Sequence, residues 1–150
     1  MKELKRDLLT SKYTRVEVEE NYSYNAPHHY VVKKANADAT CGNELCTFNY
    51  CPYKAAERSK CSAYKERDTS GDVLCVIHFQ EGPIKECGVN GVCDEDLINM
   101  VIDRLEHFQD SEFSCRENAV AITKLEEALL WLRKRTMGRE QRGVEGTHTV

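Results

Sequence analysis

Asp94-Glu-Asp-Leu-Ile-Asn-Met-Val-Ile-Asp-Arg-Leu-Glu-His-Phe108 and Ser114-Cys-Arg-Glu-Asn-Ala-Val-Ala-Ile-Thr-Lys-Leu-Glu-Glu-Ala-Leu-Leu-Trp-Leu132 decide the fold. In the first stretch Leu97, Val101, Leu105 and Phe108 recur at helical spacing, and Ile98 and Ile102 widen the apolar face. Asp94, Glu95 and Asp96 put carboxylates at the helix start, where they complement its positive pole. Ser111-Glu-Phe-Ser114 breaks the pattern, and Ser114-Cys-Arg-Glu117 matches a capping box. Ile122, Leu125, Leu129 and Leu132 stripe the second helix, which also holds Trp131. Two helices with a short connection predict an antiparallel hairpin. Such a hairpin is too short to bury its apolar surface alone. Its leucine stripe must meet a sheet, another subunit or both, which predicts a homo-oligomer.

Upstream the period changes from helical to two. Tyr13-Thr-Arg-Val-Glu-Val-Glu-Glu-Asn-Tyr-Ser-Tyr24 alternates as a half-buried strand does, and Asn25-Ala-Pro27 interrupts it. His28-His-Tyr-Val-Val-Lys33 resumes with β-favouring residues. Val73-Leu-Cys-Val-Ile-His-Phe-Gln80 is the strongest strand, bounded by Ser70-Gly-Asp72 and Glu81-Gly-Pro83. The fold class expected is α+β: a small N-terminal antiparallel sheet followed by a C-terminal helical hairpin. Residues 1–91 read as the β-rich core, carrying a cysteine-rich inserted loop at about 36–68. Residues 92–150 read as the hairpin with a ligand-binding C-terminal tail.

The chain has 150 residues, a net charge of −4 and eight cysteines, which suits one compact domain or a small core with an appendage. The longest continuous apolar run, Ala128–Leu132, is five residues, too short for a membrane span. No secretory signal follows Met1-Lys-Glu-Leu-Lys-Arg6, so the expected setting is cytosolic. The mild charge argues against coating long nucleic acid.

Clustered cysteines in a cytosolic chain point to reduced thiols or metal ligands rather than bridges. Cys41, Cys46, Cys51 and Cys61 are spaced x4, x4 and x9, admissible for a structural zinc site but lacking its diagnostic tight pair. Zinc there would order a loop with little core of its own. Cys75, Cys87, Cys93 and Cys115 are dispersed and read as small buried or half-buried side chains.

The sharpest charge asymmetry lies between Arg133 and Arg142, with five cations against Glu140 alone. Arg135, Arg139 and Arg142 recur at four and three residues and so share one helix face. The plain reading is a solvated helix end whose cations offset the dipole. The functional one is an anion site, since forked guanidinium groups match phosphate oxygens. Gly143 is a helix stop, and the tail to Val150 reads either as a frayed terminus or as a strap over a polar ligand. Gly82-Pro83 and Gly88-Val-Asn-Gly91 are turn chemistry rather than a phosphate-loop fingerprint. His28, His29, His78, His107 and His148 form no metal-hydrolase pattern, and on a strand Cys75 and His78 would face opposite ways. No catalytic set emerges, and the expectation is not an enzyme.

The segments Glu20-Asn-Tyr-Ser-Tyr-Asn-Ala-Pro27, His78–Glu86, Gly88–Gly91, Ser114–Leu132 and Arg142–Thr147 resemble those of a phage family. This is the first-described type of Thoeris anti-defence protein, which shares its hairpin with the phage sponge against cyclic-oligonucleotide (CBASS) signalling. The resemblance covers most of 13–33 and 73–150, and the cysteine block reads as an insertion. It implies a sponge in the cytoplasm of the infected bacterial host. Such proteins sequester the cyclic ADP-ribose isomers made by bacterial TIR-domain proteins without degrading them, and some also bind cyclic trinucleotides at separate sites of a hexamer.

The family pocket uses an aromatic residue, an asparagine ten positions later, and two arginines one turn apart, seventeen positions beyond. Phe108, Asn118, Arg135 and Arg139 satisfy that spacing. The resemblance thus implies that Phe108 stacks on the base, Asn118 bonds base or ribose, and Arg135 and Arg139 hold the pyrophosphate. Asn90, Thr147 and His148 are further pocket candidates. The separation suits opposite limbs of the hairpin or neighbouring subunits of a dimer or hexamer. The rival expectation is a zinc-stabilised nucleic-acid-associated protein using Cys41–Cys61 and the basic C-terminus.

Overall fold

The computed structural model describes residues 1–4, 9–37 and 70–150. The chain divides into two compact units, residues 1–20 with 29–77 and residues 21–28 with 78–150.

The first unit is built on a four-stranded sheet whose strands lie side by side in chain order: β1 (Lys2–Glu3), β2 (Thr14–Val18), β3 (His29–Lys34) and β4 (Val73–His78). β1 pairs antiparallel with β2, and β2 with β3, setting Val16 opposite Val32 and Val18 opposite Tyr30. Val18 is 6% exposed and anchors the packing on one face. Glu17, on the other face, accepts from Lys33 Nζ at 2.7 Å and from Arg15 Nε at 3.0 Å. The Lys33 bond, above all, holds the Glu17 carboxyl below the usual carboxylate range.

The alternation predicted a strand to Tyr24, but β2 stops at Val18. The chain turns through residues 21–26, where Tyr24 adopts a φ of 62°, a left-handed conformation no strand continues through. β4 ends at His78 rather than Gln80. Beyond it Phe79 bridges Val92 in parallel, and Gln80 turns its side chain into the following loop. β1 and the 3-10 turn at Leu9–Lys12 are too short to leave a period in the sequence.

The second unit carries α1 (Ile84–Cys87), α2 (Asp94–Gln109) and α3 (Arg116–Gln141), the last two packed as the hairpin of an α+β fold. Ile102 is 7% exposed, with Ile98 and Leu105 half-buried beside it and Ile122, Leu125, Leu129 and Leu132 half-buried on α3. The buried stripe of α2 is therefore centred on Ile102, and Val101 and Phe108 lie at its exposed margin.

Both hairpin helices start at a cysteine. Cys93 caps α2, its N–H donating to Asp96 Oδ2 at 2.8 Å. The Cys93 thiol is pushed up by burial and then by the Asp96 carboxylate. At α3 the cap is Cys115 rather than Ser114, and its Sγ accepts from Asn118 N at 3.4 Å. The helix begins one residue later than the capping-box reading placed it, so Ser114 and Glu117 do not exchange bonds there. These roles also revise the expectation of buried thiols: Cys75, Cys87 and Cys115 are exposed, and only Cys93 is half-buried.

Candidate functional site

A loop from Gln80 to Gly91 forms one wall of the site, and two side-chain amides hold it. Gln80 Nε2 donates to Gly88 O at 2.8 Å and, more loosely, to Gly82 O and Glu81 O, while its Oε1 accepts from Asn90 N at 3.0 Å. Asn90 closes the same ring: Oδ1 accepts from Glu81 N at 2.8 Å and Nδ2 donates to Glu81 O at 3.0 Å. Both ends of the Asn90 amide are thus engaged, and Asn90 shapes the loop without lining the groove beside it. Gly91 is required by close approach, since a Cβ there would lie 2.4 Å from the Phe79 carbonyl carbon.

Within the hairpin unit this loop, the start of α2, the end of α3 and the C-terminal tail enclose a groove of about 600 Å³. Arg135, Arg139, Thr147 and His148 all line it, so four of the residues singled out in the sequence come together. Arg135 is exposed, with Nη2 4.0 Å from Glu95 Oε1. Arg139 is half-buried, and its Nη2 donates to three tail carbonyls: Val144 at 3.0 Å, Thr147 at 2.7 Å and Thr149 at 2.9 Å. Arg142, expected on the same face, is the C-cap of α3 and does not line the groove. The other cations of the run are engaged elsewhere. Arg133 pairs with Glu140 at 3.0 Å, and Lys134 Nζ sits 4.8 Å over the Trp131 ring.

The tail is ordered by these bonds rather than frayed. Thr147 Oγ1 donates to Val144 O at 2.8 Å, Lys85 N donates to Gly146 O at 2.9 Å, and Lys85 Nζ pairs with Glu145 at 2.9 Å. Glu86 Oε1 accepts from His148 N at 3.0 Å and lies 2.7 Å from His148 Nδ1. The His148 backbone N–H and then its ring hold the Glu86 carboxyl below the usual carboxylate range.

Phe108 and Asn118 stand at the other end of the hairpin. Phe108, 38% exposed, lines a separate concavity of about 440 Å³ with Asp103, Arg104, His107, Ser111 and Phe113. The Arg104 guanidinium lies 5.3 Å from its ring centroid. Asn118 sits in the first turn of α3. At 1.5 Å per residue the seventeen positions from Asn118 to Arg135 span about 25 Å. One chain therefore brings Arg135 and Arg139 together and keeps Phe108 and Asn118 apart from them.

Gln80, Lys85 and Glu86 fall in a segment that carries the family resemblance, but no local pattern marks their roles. A glutamine after a strand and a Lys-Glu pair in a loop are commonplace, and the partners that define their roles include Gly88, eight residues from Gln80, and His148, sixty-two from Glu86. Cys41, Cys46, Cys51 and Cys61, the zinc candidates, lie outside the described residues. No described helix is long and apolar enough to cross a membrane.

Residues 71–137 match the family described as Acb2/Tad1, hairpin domain, which takes in β4, the loop, α1, α2 and most of α3. The chain is 52% identical to "Thoeris anti-defense 1" of Bacillus phage SBSphiJ7, across 99% of each protein. A match of that extent covers the sheet, the hairpin and the tail alike, and the chain belongs to the Thoeris anti-defence 1 family, whose helical part is the Acb2/Tad1 hairpin.

Proposed function

We propose that this phage anti-defence protein works as a sponge, retaining cyclic ADP-ribose isomers without cleaving them in the cytoplasm of the infected host. The observation that carries this reading is the groove in which Arg135 and Arg139, one helical turn apart, face an ordered polar tail. Two guanidinium groups at that spacing suit the paired charges of a pyrophosphate. Thr147 and the tail's backbone supply neutral donors and acceptors for a ribose. A sponge gains nothing from turnover. Nanomolar retention needs about −12 kcal/mol, which favours an enclosed pocket over an open groove.

Enclosure is supplied here by a second copy. Leu130 is 71% and Trp131 61% exposed at the middle of α3, and Met137 and Val120 are exposed on the same helix. Two hairpins packed antiparallel through these residues would set the Phe108–Asn118 end of one protomer against the partner's groove. The twofold would give two equivalent pockets, each with base-stacking and phosphate-binding halves. A dimer is the smallest such assembly, and a hexamer repeats it, with cyclic trinucleotides as the further ligand class to test.

The test is a release assay. Protein is incubated with cyclic ADP-ribose isomers and cyclic trinucleotides, freed of unbound ligand, heat-denatured, and its contents identified by mass spectrometry. Intact isomer recovered only after heating is the expected result, with retention lost in Arg135→Ala. A chemically altered nucleotide would make the protein an enzyme. Normal retention by Arg135→Ala would overturn the site, and an empty wild-type protein would overturn the sponge.

A further inference from the structure

Glu86 does not line the groove, and its carboxylate takes its hydrogen bonds from the tail. We infer that Glu86 is a positioning residue that acts through His148 to hold the tail over the Arg135–Arg139 groove, and so sets how long a bound ligand stays. The inference rests on the sponge reading for the nature of the ligand and on geometry for everything else.

The tail has two attachments. On the α3 side a single nitrogen, Arg139 Nη2, serves the carbonyls of Val144, Thr147 and Thr149. That nitrogen carries two hydrogens for three acceptors, so at least two of the carbonyls share one hydrogen. Among the described residues the Arg139 Nε and Nη1 hydrogens make no bond, and they are the ones left for an anion. An anion drawing the guanidinium toward itself therefore competes with the tail for the same group.

On the α1 side the attachment is independent of Arg139. One carboxylate oxygen of Glu86 accepts both the His148 backbone N–H and the ring Nδ1, which must donate because an ionised carboxylate only accepts. Charge-assisted bonds of this kind are the strong ones. Next to it the Lys85 N–H holds Gly146 O at 2.9 Å. The fit there is close: Gly146 has a φ of 72°, and a Cβ on it would come within 2.9 Å of Lys85 Cγ. Glu86 thus keeps Thr147 and His148 on the groove when the Arg139 fork turns to a ligand. Loss of this attachment leaves entry open and makes exit easier, so it should act on the dissociation rate.

The experiment compares the full-length wild type with Glu86→Ala, Glu86→Gln and His148→Ala. Dissociation of preloaded cyclic ADP-ribose isomer is followed after dilution into excess unlabelled isomer. Amide hydrogen exchange of residues 144–149 is read in the ligand-free protein. Glu86→Ala is expected to release ligand about tenfold faster, the scale of one lost charge-assisted bond. Association and melting temperature should stay near wild type, and exchange protection at His148 should be lost. Glu86→Gln, which keeps an acceptor oxygen, should recover part of both. Retention by the wild type with an unchanged release rate in Glu86→Ala overturns the inference alone, as does intact protection of the tail. An empty wild-type protein overturns the sponge reading and the ligand half of the inference. The exchange arm then still decides whether Glu86 orders the tail.

Discussion

Arg139 Nη2 and the Thr147 carbonyl oxygen lie 2.7 Å apart, the shortest of three bonds by which one guanidinium gathers the C-terminal tail. Arginine at this position is consequently both an anion-binding group and a structural tie. A lysine would keep the charge but offers one compact ammonium in place of a planar fork. Arg139→Lys should therefore weaken retention of a cyclic ADP-ribose isomer by about tenfold to a hundredfold, through the lost bonds rather than the charge. Equilibrium binding of the isomer measures the loss. Accelerated amide exchange across residues 144–149 should accompany it, and wild-type exchange there would show that Arg139 does not tie the tail.

Gly91→Ala tests the loop that positions the groove. The added methyl would meet the backbone of Phe79 and Gln80, at 2.4–2.7 Å, with no flexible side chain able to give way. The Phe79–Val92 bridge and the Gln80–Asn90 ring would have to shift together. The expected cost is about 1–3 kcal/mol, read as a melting temperature several degrees lower. An unchanged melting temperature would mean the loop is far softer than its bonds indicate.

The Glu86 attachment also gives a pH dependence whose sign is fixed. Contact with His148 lowers the carboxyl's pKa in the folded tail, so the detached state binds protons more readily than the attached one. The attachment is present above the ordinary glutamate value, about 4.3, and is lost as pH falls through the lower folded value. The Glu86 side-chain carboxyl carbon resonance should therefore show its ionisation step below the ordinary glutamate range. Glu86→Gln should remove the step. A step in or above the ordinary range in the wild type would mean that His148 does not hold the carboxyl ionised.

The hairpin was legible because its period is long and strong. Ile98, Ile102 and Leu105 on α2 and Ile122, Leu125, Leu129 and Leu132 on α3 repeat often enough to outweigh any single exception. The strands were legible as elements but not at their ends, because Tyr24 at φ 62° gives no local warning that β2 has stopped. Caps showed the same limit: serine and glutamate suggested a box at Ser114, yet cysteine occupies the cap of both helices. Spacing put Arg135, Arg139 and Arg142 on one helix face, and the family resemblance singled out Arg135 and Arg139, with Thr147 and His148 as further candidates. Gln80, Lys85 and Glu86 were not singled out. Their roles come from tertiary partners, and nothing in a local window distinguishes them from solvated loop residues.

Leu130 is 71% exposed in one chain, and the proposed dimer places it in the protomer contact. In a twofold contact each substitution counts twice. Burial of one leucine contributes about 1.5–3 kcal/mol, so replacing two removes about 3–6 kcal/mol. Leu130→Ser should weaken association at least a hundredfold, at about 1.4 kcal/mol per decade. Sedimentation velocity across a dilution series reads this directly. Helix content by circular dichroism should stay unchanged, because α3 packs on α2 through the opposite stripe. Wild-type sedimentation at every concentration would remove Leu130 from the contact.

The distance between the two halves of the candidate pocket leads to the sharpest test. Phe108 and Arg135 stand at opposite ends of one hairpin, so a pocket using both must draw them from different protomers. Phe108→Ala and Arg135→Ala should each abolish retention, since every pocket of either homodimer lacks one half. Unfolded and reassembled together, the two variants form mixed dimers. In each mixed dimer one pocket receives an intact Phe108 from one protomer and an intact Arg135 from the other, while the second pocket lacks both. With random pairing of equal amounts, half the dimers are mixed and half of their pockets are whole, giving about a quarter of wild-type capacity. Isothermal titration with a cyclic ADP-ribose isomer would read that fraction as stoichiometry at near wild-type affinity. A pocket formed within a single chain predicts no recovery, because no protomer in the mixture carries both residues.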